Sequence, residues 1–202
     1  MKFIDFYNKF SNYPLISKQE VRKFYPELDP RRFYEWQKKG HIKKVINNFY
    51  VFSQKDLSRA DFMFIANKIY EPSYISLELA LSYYNFIPEA VFAYTSVTSR
   101  KTKNLNVELG NFYYKNIKEE LFFGYTIITQ NGISYKIAEP EKALLDFLYL
   151  RSDLKTINDL ESLRINPFSY KEQINQKKLD RYLEYFNSAT LKLKMKRLNK
   201  TL

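Results

Sequence analysis

Apolar residues recur at helical spacing throughout the N-terminal part of the chain. Residues 2–11 repeat apolar positions every three or four residues, as an amphipathic helix does. Two shorter helical patterns follow at 18–25 and 29–39, separated by a Pro-Glu-Leu-Asp-Pro turn. Asp29 is a good N-cap residue for the second of these helices, and Gly40 is the residue type expected just after its end.

Two strand-like segments, Ile42–Val45 and Phe49–Phe52, come next and are joined by Asn47-Asn48. Asparagine tolerates the left-handed conformations of a tight turn, so the two segments are predicted to form a β-hairpin. A helix, a turn, a second helix and a hairpin in this order are typical of a winged helix-turn-helix. The pattern therefore predicts this class of DNA-binding domain at the N-terminus.

A further helical pattern at 58–70 ends at Glu71-Pro72, where we place the boundary between domain 1–71 and domain 72–202. The fold class predicted is α+β, with the winged helix-turn-helix followed by a mixed α/β domain that has a small, mainly antiparallel sheet and several helices. Residues 191–198 fit either a helix or a strand. The other predicted strands are 92–99, 112–117, 121–129 and 133–138, and the other predicted helices are 76–85, a segment from 139 onward, 156–163 and 176–186.

The charge of the chain is +11, and it is concentrated at the two ends. Residues 1–60 hold 13 Lys/Arg and 6 Asp/Glu, whereas residues 171–202 hold 9 and 3. Excess positive charge attracts polyanions such as nucleic acids. An AT-rich genome would also enrich lysine, so the basic C-terminal residues could equally be solvated or contact RNA; these are Lys192, Lys194, Lys196 and Arg197.

The second helix of a winged helix-turn-helix lies in the major groove, and the hairpin reaches the adjacent backbone. Phe33 and Trp36 are predicted to face the core, which leaves the cations of this helix outside. Arginine suits bidentate contact with guanine, so Arg31 and Arg32 are the candidates for base contact. The alternative is a set of solvated charges. The other predicted DNA-binding residues are Tyr34, Lys38 and Lys39 in the helix, Lys43, Lys44, Asn47 and Asn48 in the hairpin, and Lys18 and Arg22 as supporting contacts.

Three carboxylates in the segment Ala138–Leu150 allow a second interpretation. Glu139, Glu141 and Asp146, with Lys142 or Lys136, could form an acid–base or metal cluster. The structural interpretation is favoured: the two glutamates lie near a helix N-terminus, and Asp146 is bonded to a Tyr or Arg in the core. We therefore predict no enzyme, no cofactor and no metal.

The chain contains few residues of the types that commonly act in catalysis or bind metals. There is no Cys, there is a single His, His41, and no glycine-rich phosphate loop is present. His41 follows Gly40 and could touch a phosphate or lie on the surface. The absence of Cys, of a signal-like start and of a long apolar segment predicts a cytoplasmic protein with no membrane partner.

Three segments together resemble the AbiEi family of antitoxins from type IV toxin–antitoxin systems, over about residues 10–190. The first is RRFYEWQKKGHIKKVINNFYVF, and the second is YISLELALSYYNFIPEAVFAYTSVTSRKT. The third, YKIAEPEKALLDFLYL, is the most specific, because it is similar to the family segment A-x-P-E-K-A-L-L-D. The chain differs from the family at the hairpin turn, where Asn47-Asn48 replace a common Arg-Gly.

Such a resemblance implies a DNA-binding antitoxin that represses its own abortive-infection (phage defence) operon and opposes a nucleotidyltransferase-like toxin. It implies operator DNA as the partner, with inverted repeats expected, and no stable complex with the toxin. Two alternatives stay open. One is a stand-alone winged-helix regulator with a ligand-sensing C-terminal domain, and the other is a metal-dependent enzyme acting on nucleic acid.

Overall fold

The computed structural model describes residues 1–202 and is an α+β protein with ten α-helices and two β-sheets. No helix combines the length and the apolar composition that crossing a membrane would require. The helices are α1 (Phe3–Phe10), α2 (Lys18–Phe24), α3 (Arg31–Lys38), α4 (Arg59–Ile69), α5 (Leu77–Tyr83), α6 (Pro140–Leu150), α7 (Ile157–Glu161), α8 (Pro167–Gln173), α9 (Gln176–Phe186) and α10 (Ala189–Leu198).

The strands fall into a three-stranded sheet near the N-terminus and a six-stranded sheet in the rest of the chain. A short 3₁₀ helix at Glu119–Leu121 precedes the penultimate strand. The strands are β1 (Ile16–Ser17), β2 (Ile42–Ile46), β3 (Phe49–Phe52), β4 (Ser73–Ile75), β5 (Tyr94–Thr98), β6 (Lys103–Val107), β7 (Gly110–Asn116), β8 (Tyr125–Gln130) and β9 (Ile133–Ala138).

The three-stranded sheet has the order β1-β3-β2, and both of its pairings are antiparallel. The predicted hairpin is present, and Asn48 has the left-handed φ of 69° that its turn needs. Both sides of the hairpin carry buried residues. Tyr50 and Phe52 pack with α1, α2 and α3 in a small, mainly aromatic core, whereas Val45 and Val51 belong to the larger core of the chain.

Asp29 and Gly40 determine the two ends of α3. The backbone N–H of Arg31 donates to Asp29 Oδ1 at 2.9 Å, so Asp29 satisfies a free donor of the first turn. At the other end the N–H of His41 donates to the carbonyl of Trp36, and Gly40 adopts a φ of +72°. This left-handed residue ends the helix and turns the chain into β2.

The six-stranded sheet has the order β6-β7-β5-β4-β9-β8 and is mixed: β4 pairs with β9, and β5 with β7, in parallel. The other three pairings are antiparallel. The sheet has two strands more than predicted, β4 and β6. The prediction of a strand over 121–129 was too long at its start, since β8 begins at Tyr125. β4 has only three residues, and β6 has only two apolar residues among its five, so neither gives a strong strand pattern.

Helices cover both faces of this sheet. The Tyr114 hydroxyl donates to the carbonyl of Ala66 in α4, and Thr95 Oγ1 accepts from the N–H of Leu79 in α5. Thr95 is paired with Tyr113, the neighbour of Tyr114, so α4 and α5 lie on opposite faces. α4 thus packs on the six-stranded sheet although it precedes residue 71; the domain boundary stays a prediction.

The C-terminal segment is helical throughout. Residues 191–198, which fitted either a helix or a strand, lie in α10, and Ser188 caps this helix by accepting from the N–H of Leu191. α8 was not predicted, although Asn166 caps it and Pro167 begins it. α6 starts at Pro140 as predicted and is buried along most of its length.

Candidate nucleic-acid interface

The outer side of α3 is an exposed surface that carries two cations, on a helix held in place by buried aromatic residues. Phe33 and Trp36 are 3% and 4% exposed and fix this helix on the small aromatic core. Helical spacing then turns the remaining side chains outward, and Tyr34 is 71% exposed. The residues of the outer side are Arg31, Tyr34, Glu35 and Lys38.

Arg31 and Arg32 differ in their surroundings. Arg32 Nη1 donates to Glu35 Oε2 at 2.8 Å, so its charge is already paired. The guanidinium of Arg31 makes no hydrogen bond or ion pair within the chain. Arg31 is therefore the arginine that is free to accept an external anion or a base edge.

The two lysines of β2 lie on opposite sides of the hairpin. Lys43 is paired with Val51, whose side chain is in the larger core, and Lys43 Nζ donates to Glu108 Oε1 at 2.6 Å. Lys44 is paired with Tyr50, which faces the core shared with α3. Because directly paired residues share a side, Lys44 points to the side of α3 and Lys43 points away from it.

Lys18 joins the hairpin to the helices. Its Nζ lies 5.2 Å from the ring centre of Phe33 and 5.3 Å from that of Tyr50, and its N–H donates to the carbonyl of Asn48. This half-buried lysine therefore supports the interface by packing. The other predicted contact residues are all exposed: Arg22, Lys38, Lys39, Asn47 and Asn48.

His41 is exposed and stacks on Phe3, with 4.2 Å between ring centres and 15° between planes. It makes no hydrogen bond from its ring. The structure therefore places it on the surface at the junction of α3 and β2, one of the two positions expected for it.

The three carboxylates of the α6 segment do not form one site: Glu139 and Glu141 share Lys178, whose Nζ lies 3.5 and 3.9 Å from them, whereas Asp146 has other partners. Asp146 is buried, and its Oδ2 accepts from the Tyr74 and Ser76 hydroxyls, each at 2.9 Å. Glu139 accepts from the Tyr182 hydroxyl at 2.6 Å, whereas Glu141 accepts from the N–H of Asn175 at 2.7 Å. The prediction that Asp146 is bonded by a Tyr in the core is confirmed.

Lys142 completes the buried network around Asp146. Its Nζ donates to Asp146 Oδ1 and, at 2.8 Å, to the Tyr74 hydroxyl. Burial raises the pKa of the Asp146 carboxyl and lowers the pKa of the Lys142 ammonium, although the two attract one another. With both side chains 0% exposed, this network is inaccessible to a large substrate and ties α6 to β4.

A group of cations lies between β5 and β6, outside the set of predicted DNA-binding residues. The Arg100 guanidinium lies 4.6 Å from the ring centre of Tyr70, and Lys103 Nζ lies 5.0 Å from it. The Tyr70 hydroxyl donates to the carbonyl of Lys101, and Asn116 donates to that of Arg100. The signal for this rigid basic loop was the run Arg-Lys-Thr-Lys, which contains no carboxylate.

Only part of the C-terminal basic group faces solvent. Lys194 is 6% exposed, and its Nζ donates to the carbonyls of Leu148 and Arg151, so it stabilises the end of α6. Arg197 donates to the carbonyl of Lys155. Lys192 and Lys196 are the exposed cations of this group.

The fold and its exposed helix–hairpin surface define the class of this protein: an α+β protein with a basic N-terminal face. A search of protein-family models finds no match to the chain, and a search of curated proteins finds no significant match.

Proposed function

We propose that residues 1–71 form a winged helix-turn-helix domain that binds double-stranded DNA with α3 in the major groove. The observation that carries this proposal is the outer side of α3, where Arg31, Tyr34 and Lys38 are exposed while Phe33 and Trp36 hold the helix. A helix positioned in this way presents its N-terminal residues to base edges. Arg31 is the base-contacting residue in this proposal.

The β2–β3 hairpin is the proposed wing. Lys44 points to the side of α3, and Asn47 and Asn48 are exposed at the tip. A cation and two amides at this position suit contacts to the sugar–phosphate backbone, which fix the register of the protein on DNA. Lys39, just after α3, would add a further phosphate contact.

We further propose that the protein is a cytoplasmic antitoxin and transcriptional autorepressor of a type IV toxin–antitoxin operon. Support comes from the resemblance of three segments to AbiEi antitoxins, including AEPEKALLD at 138–146. In this proposal residues 72–202 carry the antitoxin activity without catalysis, cofactor or stable toxin complex. The protein binds inverted repeats in its operator.

Titration of the full chain against the DNA just upstream of its own gene tests the proposal. We expect binding that is tighter than binding to a scrambled duplex and that keeps this preference at physiological salt. Base contacts give such a preference, whereas phosphate contacts alone are lost as salt rises. Equal affinity for both duplexes at both salt concentrations would contradict sequence-specific repression.

Lys44 and Lys43 provide a matched pair for the wing. We expect Lys44→Ala to reduce the slope of log affinity against log salt by about one, because one phosphate contact is lost. Lys43→Ala should change this slope much less, since Lys43 is turned toward Glu108. The two slopes are measured with the same operator duplex over a salt series, and equal slopes would refute this orientation of the hairpin.

A further inference from the structure

An apolar cavity lies between the six-stranded sheet and the helices α5 and α6, outside the proposed DNA interface. It has a volume of about 290 Å³. Its size is close to the lower end of ligand-binding pockets, which are about 300–1,000 Å³, and therefore suits a small molecule. The aliphatic and phenyl side chains that line it are Leu77, Val91, Ala93, Phe147 and Leu150.

The backbone beside this cavity is held in an unfavourable conformation. Leu77, the first residue of α5, has a φ of +60°, a value that is rare for a bulky residue. Two backbone hydrogen bonds to Thr95 fix the turn: Ser76 N–H donates to the Thr95 carbonyl, and Leu79 N–H to Thr95 Oγ1. Thr95 Oγ1 in turn donates to the Ser76 carbonyl at 2.7 Å.

Such a conformation persists only where the surroundings enforce it, and it is most frequent at ligand clamps and other functional sites. Here the surroundings include the buried Asp146, which accepts from Ser76 and thereby ties the turn to α6. The strained turn and the apolar cavity are separate observations, and both indicate a binding site at Leu77.

The polar residues that line the cavity differ in whether they already have a partner within the chain. Arg151 is paired with Glu78 at 3.3 Å and with Asp153 at 2.6 Å, so these three charges satisfy one another. Tyr113 and the exposed Lys115 also line the cavity, and neither the Lys115 ammonium nor the Tyr113 hydroxyl makes a hydrogen bond or ion pair within the chain. The free polar groups are therefore a cation and a hydroxyl donor.

We propose that this cavity binds a small carboxylic acid with an apolar tail, with the carboxylate at Lys115 and Tyr113 and the tail against Leu77, Val91 and Leu150. Charge complementarity selects this class of ligand. Lys115 and Tyr113 are neighbours on one face of β7, so they offer a carboxylate a cation and a hydroxyl together. The only anion offered to an amine is Glu78, which is already paired with Arg151.

Three compounds with the same tail and different head groups test the proposal: octanoate, octanol and octylamine. Each is titrated into the full chain while the methyl NMR signals of Leu77, Val91 and Leu150 are followed. We expect octanoate to bind most tightly, octanol more weakly and octylamine least, with shifts confined to these methyl groups. Octylamine binding as tightly as octanoate, or methyl shifts spread over the whole chain, would overturn the proposal.

Lys115→Met and Tyr113→Phe locate the carboxylate. Lys115→Met should lower the affinity for octanoate about five- to tenfold and leave that for octanol within about twofold, because only the charged contact is removed. Tyr113→Phe should act in the same direction with a smaller effect. Lys171→Met, an exposed lysine of α8 that does not line the cavity, is the control. An unchanged octanoate affinity in Lys115→Met, with the fold intact by circular dichroism, would overturn the assignment. This test does not depend on DNA binding.

Discussion

Replacement of Arg31 by alanine is expected to weaken binding to the operator by about 1–3 kcal/mol and to relax sequence preference at one base pair. The guanidinium of Arg31 lies on the outer side of α3 with no partner in the chain, so its whole hydrogen-bonding capacity is available to a guanine edge. Gel-shift titrations against the operator and its single-base variants measure both effects.

Arg32→Ala is expected to have the smaller effect, because Arg32 must leave Glu35 before it can contact DNA. The double variant Arg31→Ala with Arg32→Ala should lose at least a few kcal/mol in total, at about 1–3 per base contact. Arg181→Ala, an exposed arginine of α9, is the control for loss of one positive charge. Unchanged operator affinity in the double variant would exclude α3 as the recognition helix.

Asp146→Asn and Lys142→Met are each expected to destabilise the protein by about 3–5 kcal/mol, because each leaves the other charge buried without its partner. Both side chains are fully buried, and their ion pair also holds Tyr74. Unfolding in urea, followed by circular dichroism, gives the free energy of unfolding. Lys177→Met, an exposed lysine of α9 that makes no ion pair, is the control.

The pair Lys142→Gln with Asp146→Asn should be less destabilising than Lys142→Gln alone or Asp146→Asn alone. The two amides can bond to one another and to Tyr74, while neither carries a buried charge. A double variant that loses the sum of the two single losses would show that the two residues act independently, contrary to the geometry.

The instability of Asp146→Asn should also diminish at alkaline pH. Burial lowers the pKa of Lys142 in the folded state, and the Asp146 carboxylate opposes this lowering. Asp146→Asn removes that carboxylate, so the pKa of Lys142 falls further in the folded variant than in the wild type, and the unfolded variant binds the proton more strongly than the folded one. Stability therefore rises with pH from the lowered pKa up to the ordinary lysine value of about 10.4. Urea midpoints of the variant and the wild type over this pH range test the sign, and a variant whose deficit is constant with pH would contradict it.

Much of the local structure could be predicted because it depends on residues near one another in sequence. The apolar spacing of Phe33 and Trp36 gave the buried side of α3, and Asp29 and Gly40 gave its ends. The turn between β8 and β9 likewise depends on two adjacent residues, Asn131 and Gly132, whose φ values are 51° and 77°. In each case a preference of a few neighbouring residues coincides with what the fold requires.

The strands of the large sheet were harder to predict. β4 is recognised only through its neighbours: it pairs with β5 on one side and, in parallel, with β9 on the other. Parallel pairing joins segments that are far apart in sequence, and a three-residue strand is too short for a periodic pattern. The strand order of the sheet therefore could not be predicted from the sequence.

By itself, the sequence determined the three N-terminal helices and the β2–β3 hairpin, though not β1, together with the exposed side of α3 and the burial of Asp146. The tertiary structure alone decided which cations are free: Lys43 is paired with Glu108, 65 positions away, and Lys194 is buried against the end of α6. It also brought Leu77, Lys115 and Leu150 around one cavity. Periodicity depends on neighbours within a turn or two, whereas ion pairs and cavities arise between segments that only the folded chain brings together.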